Sequence, residues 1–231
     1  MLKYDFHIHS ALSPCGDREM TPNNIVNMAA VMGLDCIAIS DHNTTGNAKA
    51  VIKAGERIGV KVIPGMEVET EEEVHILTLF KNLDAAEDLA KQIYGFLPDI
   101  KNRPDIFGEQ LYIDEDDNVV GTEEKLLISP AQISINKLFD LVKERGGAFI
   151  PAHVDRHSYS VLTNLGFIPD DLDIRFIEVS KTVSDVGEYL NSRPDLKRYS
   201  VIQSSDAHRL ESLVCEPGIL TVDTEELFKY N

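Results

Sequence analysis

Short runs of almost unbroken apolar residues, rich in Val and Ile, recur along this chain and alternate with segments of helical period. Residues 4–8, 36–40, 60–64, 74–80, 148–151, 174–179 and 200–203 read as strands. Helical patterns fall mostly between them, at about 21–32, 47–58, 84–96, 135–145 and 183–192. The first of these helices has Thr21 as its N-cap and Pro22, whose missing N–H costs nothing there, at its first position. A continuously apolar strand has no polar face to turn to water, so it needs cover on both sides. The pattern predicts an α/β fold, a parallel sheet or barrel wrapped by helices. The length of 231 residues fits a single domain, 1–231, with an insertion.

That insertion, residues 98–130, is too long for a plain loop in a compact domain. Within it, 110–113 and 119–121 flank Asp114-Glu115-Asp116-Asp117-Asn118, which reads as a hairpin with a polar tip. It is either a lid over a site or a surface elaboration. The acidic runs at 71–73 and 114–117 read as solvated faces rather than cation sites.

Of seven histidines, six fall on or just beyond the strands. His7 and His9 end the first strand, two residues apart and therefore on one side of it. His42 follows the second in Ser-Asp-His, and His75 opens the fourth. His153 follows the fifth in Pro-Ala-His, and His208 follows the seventh in Ser-Asp-Ala-His. Carboxylates accompany them: Asp17, Asp41, Glu67 and Asp206. In parallel α/β folds the carboxyl ends of the strands converge on one face, where sites assemble. Imidazole with carboxylate suits zinc, iron or manganese, and a carboxylate can bridge two ions. A lone histidine is usually a satisfied polar residue; six at strand ends point to a cluster of metals. Three cysteines (Cys15, Cys36, Cys215), an odd number with no CxxC, read as free thiols of a reducing compartment. Cys36 lies in an apolar run, and Cys15 in a loop near the histidines.

In order along the chain, these motifs resemble the polymerase and histidinol phosphatase (PHP) family of metal-dependent phosphoesterases. Asp5-Phe6-His7-Ile8-His9-Ser10 is similar to its first motif and Ile39-Ser40-Asp41-His42-Asn43 to its second. Gly65-Met66-Glu67-Val68, Val74-His75-Ile76-Leu77, Pro151-Ala152-His153 and Ser204-Ser205-Asp206-Ala207-His208 resemble the rest. The resemblance implies a distorted seven-stranded (β/α)7 barrel of PHP type, the hairpin-containing insertion added to it, with two to three divalent ions (Zn, Fe or Mn). It implies one ion on His7, His9, Glu67 and Asp206, a second sharing Glu67 with His75 and His153, and a third on Asp17, His42 and His208. The family has a ligand soon after HxHS, five residues before a Pro. Here Pro14-Cys15-Gly16 intervenes and Asp17 restores the spacing to Pro22, with Cys15 as the alternative.

The implied reaction is hydrolysis of a phosphate ester by in-line attack of a metal-bound hydroxide, with no covalent enzyme intermediate. Nothing in the chain looks like a serine elbow or a P-loop. Phosphate usually also meets cations, and Arg156, His157, Lys181 and Arg209 follow the strand ends. Asp41 is expected to orient a ligand or hydrogen-bond the barrel rather than bind metal, and Glu178, ending the sixth strand, reads equally as a support for a ligand or as structural. The reading is a small-molecule phosphatase or phosphodiesterase. The alternatives are a nuclease acting on oligonucleotide ends and a non-catalytic metal-bound module. With 22 Lys+Arg against 39 Asp+Glu the formal charge is −17, and no basic stripe is studded with aromatics. The expected partner is a small phosphorylated molecule, not long nucleic acid and not a membrane. A polar start, where a signal peptide needs an apolar run, and the lack of a membrane-spanning run of roughly 18 apolar residues lead to a cytoplasmic expectation.

Overall fold

The structure, a computed structural model, describes residues 1–230. Strand β1 (Leu2–Ile8) leads to helix α1 (Pro22–Val31), then β2 (Cys36–Ile39), α2 (Ala48–Ile58), β3 (Lys61–Glu69) and β4 (His75–Leu79). Next come α3 (Leu83–Phe96), the single turn α4 (Pro104–Phe107), and the hairpin β5 (Leu111–Ile113) and β6 (Val119–Thr122). The chain continues through α5 (Ile135–Glu144), β7 (Ala148–Pro151), α6 (Val161–Asn164), β8 (Phe176–Glu178), α7 (Val186–Ser192), β9 (Ser200–Ile202) and β10 (Gly218–Leu220). Thr21 caps α1 by accepting the N–H of Asn24, with Pro22 in the first turn. Gly59 ends α2 at φ 82°, a left-handed conformation that costs glycine little.

The main sheet has six strands in the order β10-β1-β2-β3-β4-β7, with β8–β9 and β5–β6 as separate two-stranded pairs. The fold is α/β with a curled, half-barrel sheet, and the expected seven-stranded (β/α)7 ladder is not formed. Within the main sheet only the β1–β2 and β2–β3 pairs are parallel; β10 is antiparallel to β1, and β4 to both β3 and β7. The cause is the link between β3 and β4, which carries no helix. A parallel neighbour needs a crossover of about a dozen residues or more. Gly65 permits the close pairing, because a Cβ there would run into the Thr78 carbonyl. Val154 N–H donates to the Glu178 carbonyl (2.9 Å), tying β8 to the end of β7. On the other side His9 N–H donates to the Ala207 carbonyl (2.9 Å), so the chain beyond β9 meets β1.

This topology places the histidines. Because β4 runs backwards, its first residue, His75, lies at the same end of the sheet as the last residues of β1, β2 and β7. Register confirms it: Glu69 pairs with His75, and Glu67 with Leu77.

The insertion forms the expected hairpin. Its base is tied at Leu111 N–H to the Ala11 carbonyl (2.9 Å) and at Asn47 Nδ2 to the Leu111 carbonyl (3.0 Å). Its acidic tip is not simply a solvated face. Lys53 pairs with Glu115 (2.5 Å), Arg57 with Asp116 (2.9 Å), and Asn23 N–H donates to Asp117 (2.9 Å), which hold the tip against α1 and α2. Among the described residues no helix is long and apolar enough to cross a membrane.

Candidate metal centre

Glu67 lies at the middle of the histidines. Its Oε1 is 2.9 Å from His75 Nδ1, 3.1 Å from His153 Nε2 and 3.3 Å from His7 Nε2. Its Oε2 is 3.1 Å from His42 Nδ1 and 3.4 Å from His9 Nε2. Asp206 Oδ1 approaches the Nε2 atoms of His7 (3.3 Å) and His9 (3.2 Å). His208 stacks on His9, ring centroids 4.0 Å apart. Three donor sets converge: His7, His9, Glu67 and Asp206; His42, Glu67 and His75; and His9, His42 and His208.

The remaining hydrogen bonds fix which nitrogen faces inward. Ser13 Oγ donates to Asp41 (2.7 Å), so it accepts from His9 Nδ1 (2.9 Å) and leaves His9 Nε2 with a bare lone pair. Glu178, itself buried, takes the Nδ1 proton of His7 (2.9 Å) and the N–H of His153 (3.1 Å). The Asp206 carbonyl accepts from His208 Nδ1 (2.9 Å). Such outer partners set tautomer and orientation at metal sites.

Among the described residues eight buried side-chain polar atoms lack a hydrogen-bond partner, and six of them lie in this cluster: His7 Nε2, His9 Nε2, His42 Nδ1, His153 Nδ1, Glu67 Oε2 and Asp206 Oδ1. Buried polar groups in folded proteins are nearly always satisfied, so so many orphans in one cluster call for a missing partner. All but His153 Nδ1 belong to the converging sets. Lone pairs on imidazole and carboxylate, aimed at one another, need cations between them, and these donors fit divalent metal ions.

The electrostatics tie these groups to one another. Burial would raise the Glu67 carboxyl, but His75 and His7 hold it well below the usual range. Asp206, also raised by burial, is held well below by His7 and His9. Burial, then the charge of His208, pushes His9 down to about 3. Burial lowers His75 too, yet Glu67 outweighs it and lifts the imidazole to about 9. Three residues at the strand ends adopt left-handed backbone, His153 (φ 30°), Asn43 (φ 54°) and Asp206 (φ 51°). Strain of this kind is held where the surroundings over-determine the geometry, typically at functional sites.

A cavity of about 170 Å³ opens on the cluster, lined by His42, His75, His153, Asp206 and His208 with Arg156 on its rim. Arg156 Nη1 lies 2.6 Å from Asp206 Oδ2. Of the expected cations, Arg156 alone is brought there. Lys181 Nζ binds the Glu216 carbonyl, while His157 and Arg209 are exposed outside the cavity. Asp17 is not brought in either. Its carboxylate is exposed and accepts the N–H of Glu19 (2.9 Å), capping a turn. Sequence reasoning passed over Ser13, Glu69 and Tyr159. Glu69 lies 3.7 Å from His75 Nε2, and Tyr159 stacks on the His75 ring. Ser13 and Glu69 had local signals, their positions four residues after His9 and two residues along the strand from Glu67.

The PHP domain family model matches residues 5–146. The chain is 38% identical over 80 residues to a phosphoribosyl 1,2-cyclic phosphate 1,2-diphosphodiesterase of Eggerthella lenta, covering 32% of this chain and 29% of that protein. It is 32% identical over 80 residues to a 5'-3' exoribonuclease of Haemophilus influenzae, covering 33% and 28%. These alignments take in under a third of the length of either relative. A lesion-specific endonuclease from Pyrococcus furiosus has the same fold: TM-score 0.68, 19% identity, 90% of this chain and 49% of that one. An endonuclease Q solved with a 27-mer duplex, an abasic lesion at its active site, aligns with TM-score 0.67 at 18% identity. The exclusion of long nucleic acid from net charge therefore fails. Similar proteins act on RNA and hold a DNA duplex, because charge summed over a whole chain says little about the field at one pocket.

Proposed function

This chain belongs to the PHP domain family, and we propose that it is a metal-dependent hydrolase of phosphate esters. The observation that carries the reading is the set of orphaned donors converging on a cavity with one arginine at its rim. Bound divalent ions, two to three per chain, would supply Lewis acidity toward a phosphoryl group and lower the pKa of water. His7, His9, Glu67 and Asp206 would hold one ion, and Glu67 with His75 and His153 a second. His42 and His208 remain for a third, since His9 Nε2 has one lone pair and faces Glu67 and Asp206.

Two imidazoles are fewer than the three or four protein donors an ion takes. Asp17 turns its carboxylate elsewhere, and the same loop, on which Cys15 is exposed, is tied to the residues concerned. Ser13 Oγ meets His9 and the His42 N–H, and the Asp17 N–H donates to the His208 carbonyl (2.8 Å). Cys15 completes that set in this reading. Cobalt(II)-loaded protein should then show a thiolate charge-transfer band in the near ultraviolet that Cys15→Ser abolishes, with about one ion fewer per chain. An unchanged spectrum and ion count in Cys15→Ser would remove the thiol from the centre.

The chain's own groups do the rest. Glu178 and Ser13 keep the Nε2 lone pairs of His7 and His9 turned inward. Arg156 offers a guanidinium to phosphoryl oxygens beside Asp206. The cavity has room for a phosphoryl group and its nearest atoms, so small esters and the terminal phosphate of an oligonucleotide are both candidate substrates. The likeness to an exoribonuclease supports the second. A hydrogen bond to a charged group is worth about 1.5–3 kcal/mol, so Arg156→Ala should lower kcat/KM by about tenfold or more. Wild-type kcat/KM in that variant would take Arg156 out of substrate binding. The function itself is tested by screening phosphomonoesters, phosphodiesters and 5'-phosphorylated oligonucleotides with added manganese. Metal-loaded protein that hydrolyses none of them sinks the reading.

A further inference from the structure

The segment between β7 and α6 carries two different groups to one lip of the cavity. Arg156 N–H donates to the His153 carbonyl (2.9 Å), and the Arg156 carbonyl accepts the hydroxyls of Ser160 and Thr163 (both 2.8 Å). The Tyr159 carbonyl accepts the N–H of His75 (2.9 Å) at the start of β4. The turn is thus pinned at both groups. Tyr159 has φ 55°, a left-handed conformation that bulky residues rarely adopt. Its ring lies flat on the His75 imidazole, centroids 4.8 Å apart and planes at 22°, yet the residue stays 47% exposed. Among the described residues no second ring or cation packs against it. One face of the ring braces His75, and the other is left open at the cavity mouth beside Arg156 and Ser158.

Bracing an imidazole needs one face of a ring and gains nothing from leaving the other in water. An open aromatic face beside a phosphate-binding cation matches the way proteins hold nucleotides, with the base stacked and the phosphate paired. We propose that Tyr159 is a specificity-determining residue: its outer face stacks a planar ring in the alcohol part of the ester, so that the site selects nucleotides over sugar phosphates. This rests on the phosphoesterase reading above.

The test separates binding from turnover. Fluorescent etheno-adenosine 5'-monophosphate is bound to the metal-loaded protein and displaced by AMP or by ribose 5-phosphate, while hydrolysis of both competitors is followed in parallel. In the wild type AMP should bind about tenfold tighter or more than ribose 5-phosphate, the scale of one base–aromatic stack. Tyr159→Ala should bring the two within about twofold by weakening AMP much more than ribose 5-phosphate, and Tyr159→Phe should keep the preference. Wild-type AMP binding no tighter than ribose 5-phosphate overturns the inference. So does Tyr159→Ala weakening both ligands equally, since Tyr159 would then act only by holding His75. A stacking preference without hydrolysis of either compound upholds the ring site and counts against the phosphoesterase reading instead.

Discussion

Glu67→Gln should leave the fold standing and the centre unable to hold its full metal complement. Five imidazoles surround this one carboxylate at 2.9–3.4 Å, and it is 1% exposed. Glutamine has nearly the same shape, and the backbone bonds at this residue persist: Glu67 N–H to the Asp41 carbonyl and Asn43 N–H to the Glu67 carbonyl. The charge is what disappears, and with it the one carboxylate that two donor sets share. Loss of a supporting residue at a metal site typically costs about 10–100-fold in affinity or activity. A shared ligand should cost more. We expect elemental analysis to find no more than about one ion per chain and hydrolysis of an aryl phosphate to fall by at least about 100-fold, with an unchanged circular dichroism spectrum. A full metal complement together with wild-type turnover would place the chemistry elsewhere on the molecule.

How much of this could be read from sequence follows from what each residue depends on. The pair His7 and His9 was legible because strand geometry puts residues two apart on one side. His42, His153 and His208 were legible because they trail apolar runs, and runs of that kind end at a common edge. The direction of β4 was not legible. The stop at Pro64 and Gly65 looked like a strand end, whereas β3 runs on to Glu69 and turns back through a short link. β10 has only three residues, and it is held as a strand by antiparallel pairing to β1. Spacing to Pro22 favoured Asp17, but a loop chooses its side-chain directions by local hydrogen bonds, and Asp17 caps its own turn. Tyr159 carries no periodic signal at all. It reaches His75 because two distant segments exchange a backbone hydrogen bond. The acidic total was legible as a number and misleading as a guide, because its centrally placed members, Glu67 and Asp206, sit inside the cluster.

The other large effect concerns Asp41, whose carboxylate touches none of the converging donor atoms and yet holds the loop that aims them. It is 1% exposed and accepts from the Ser10 N–H (2.7 Å), the Ser10 hydroxyl (2.6 Å) and the Ser13 hydroxyl (2.7 Å). Burial pushes its carboxyl up, and the two serines pull it back. Asp41→Ala would strand three buried donors, and the bond that Ser10 Oγ accepts from Asn47 Nδ2 (3.0 Å) leaves the Ser10 hydroxyl proton unsatisfied. Unsatisfied buried groups cost about 1–3 kcal/mol each, so about 3–5 kcal/mol of stability should be lost. For a chain of this size that corresponds to a fall in Tm of roughly 6 to 20 °C. The melt belongs in metal-free protein, where loss of bound ions cannot contribute. Ser13→Ala removes the contact to His9 Nδ1, the acceptor of the His42 N–H and one of the three donors to Asp41, so it should weaken metal binding by about 10–100-fold with a smaller change in Tm than Asp41→Ala. The pair of variants separates the two jobs of this loop. If Asp41→Ala melts within a degree or two of wild type, the serines have found other partners, and the inward aim of His9 must come from β1 itself.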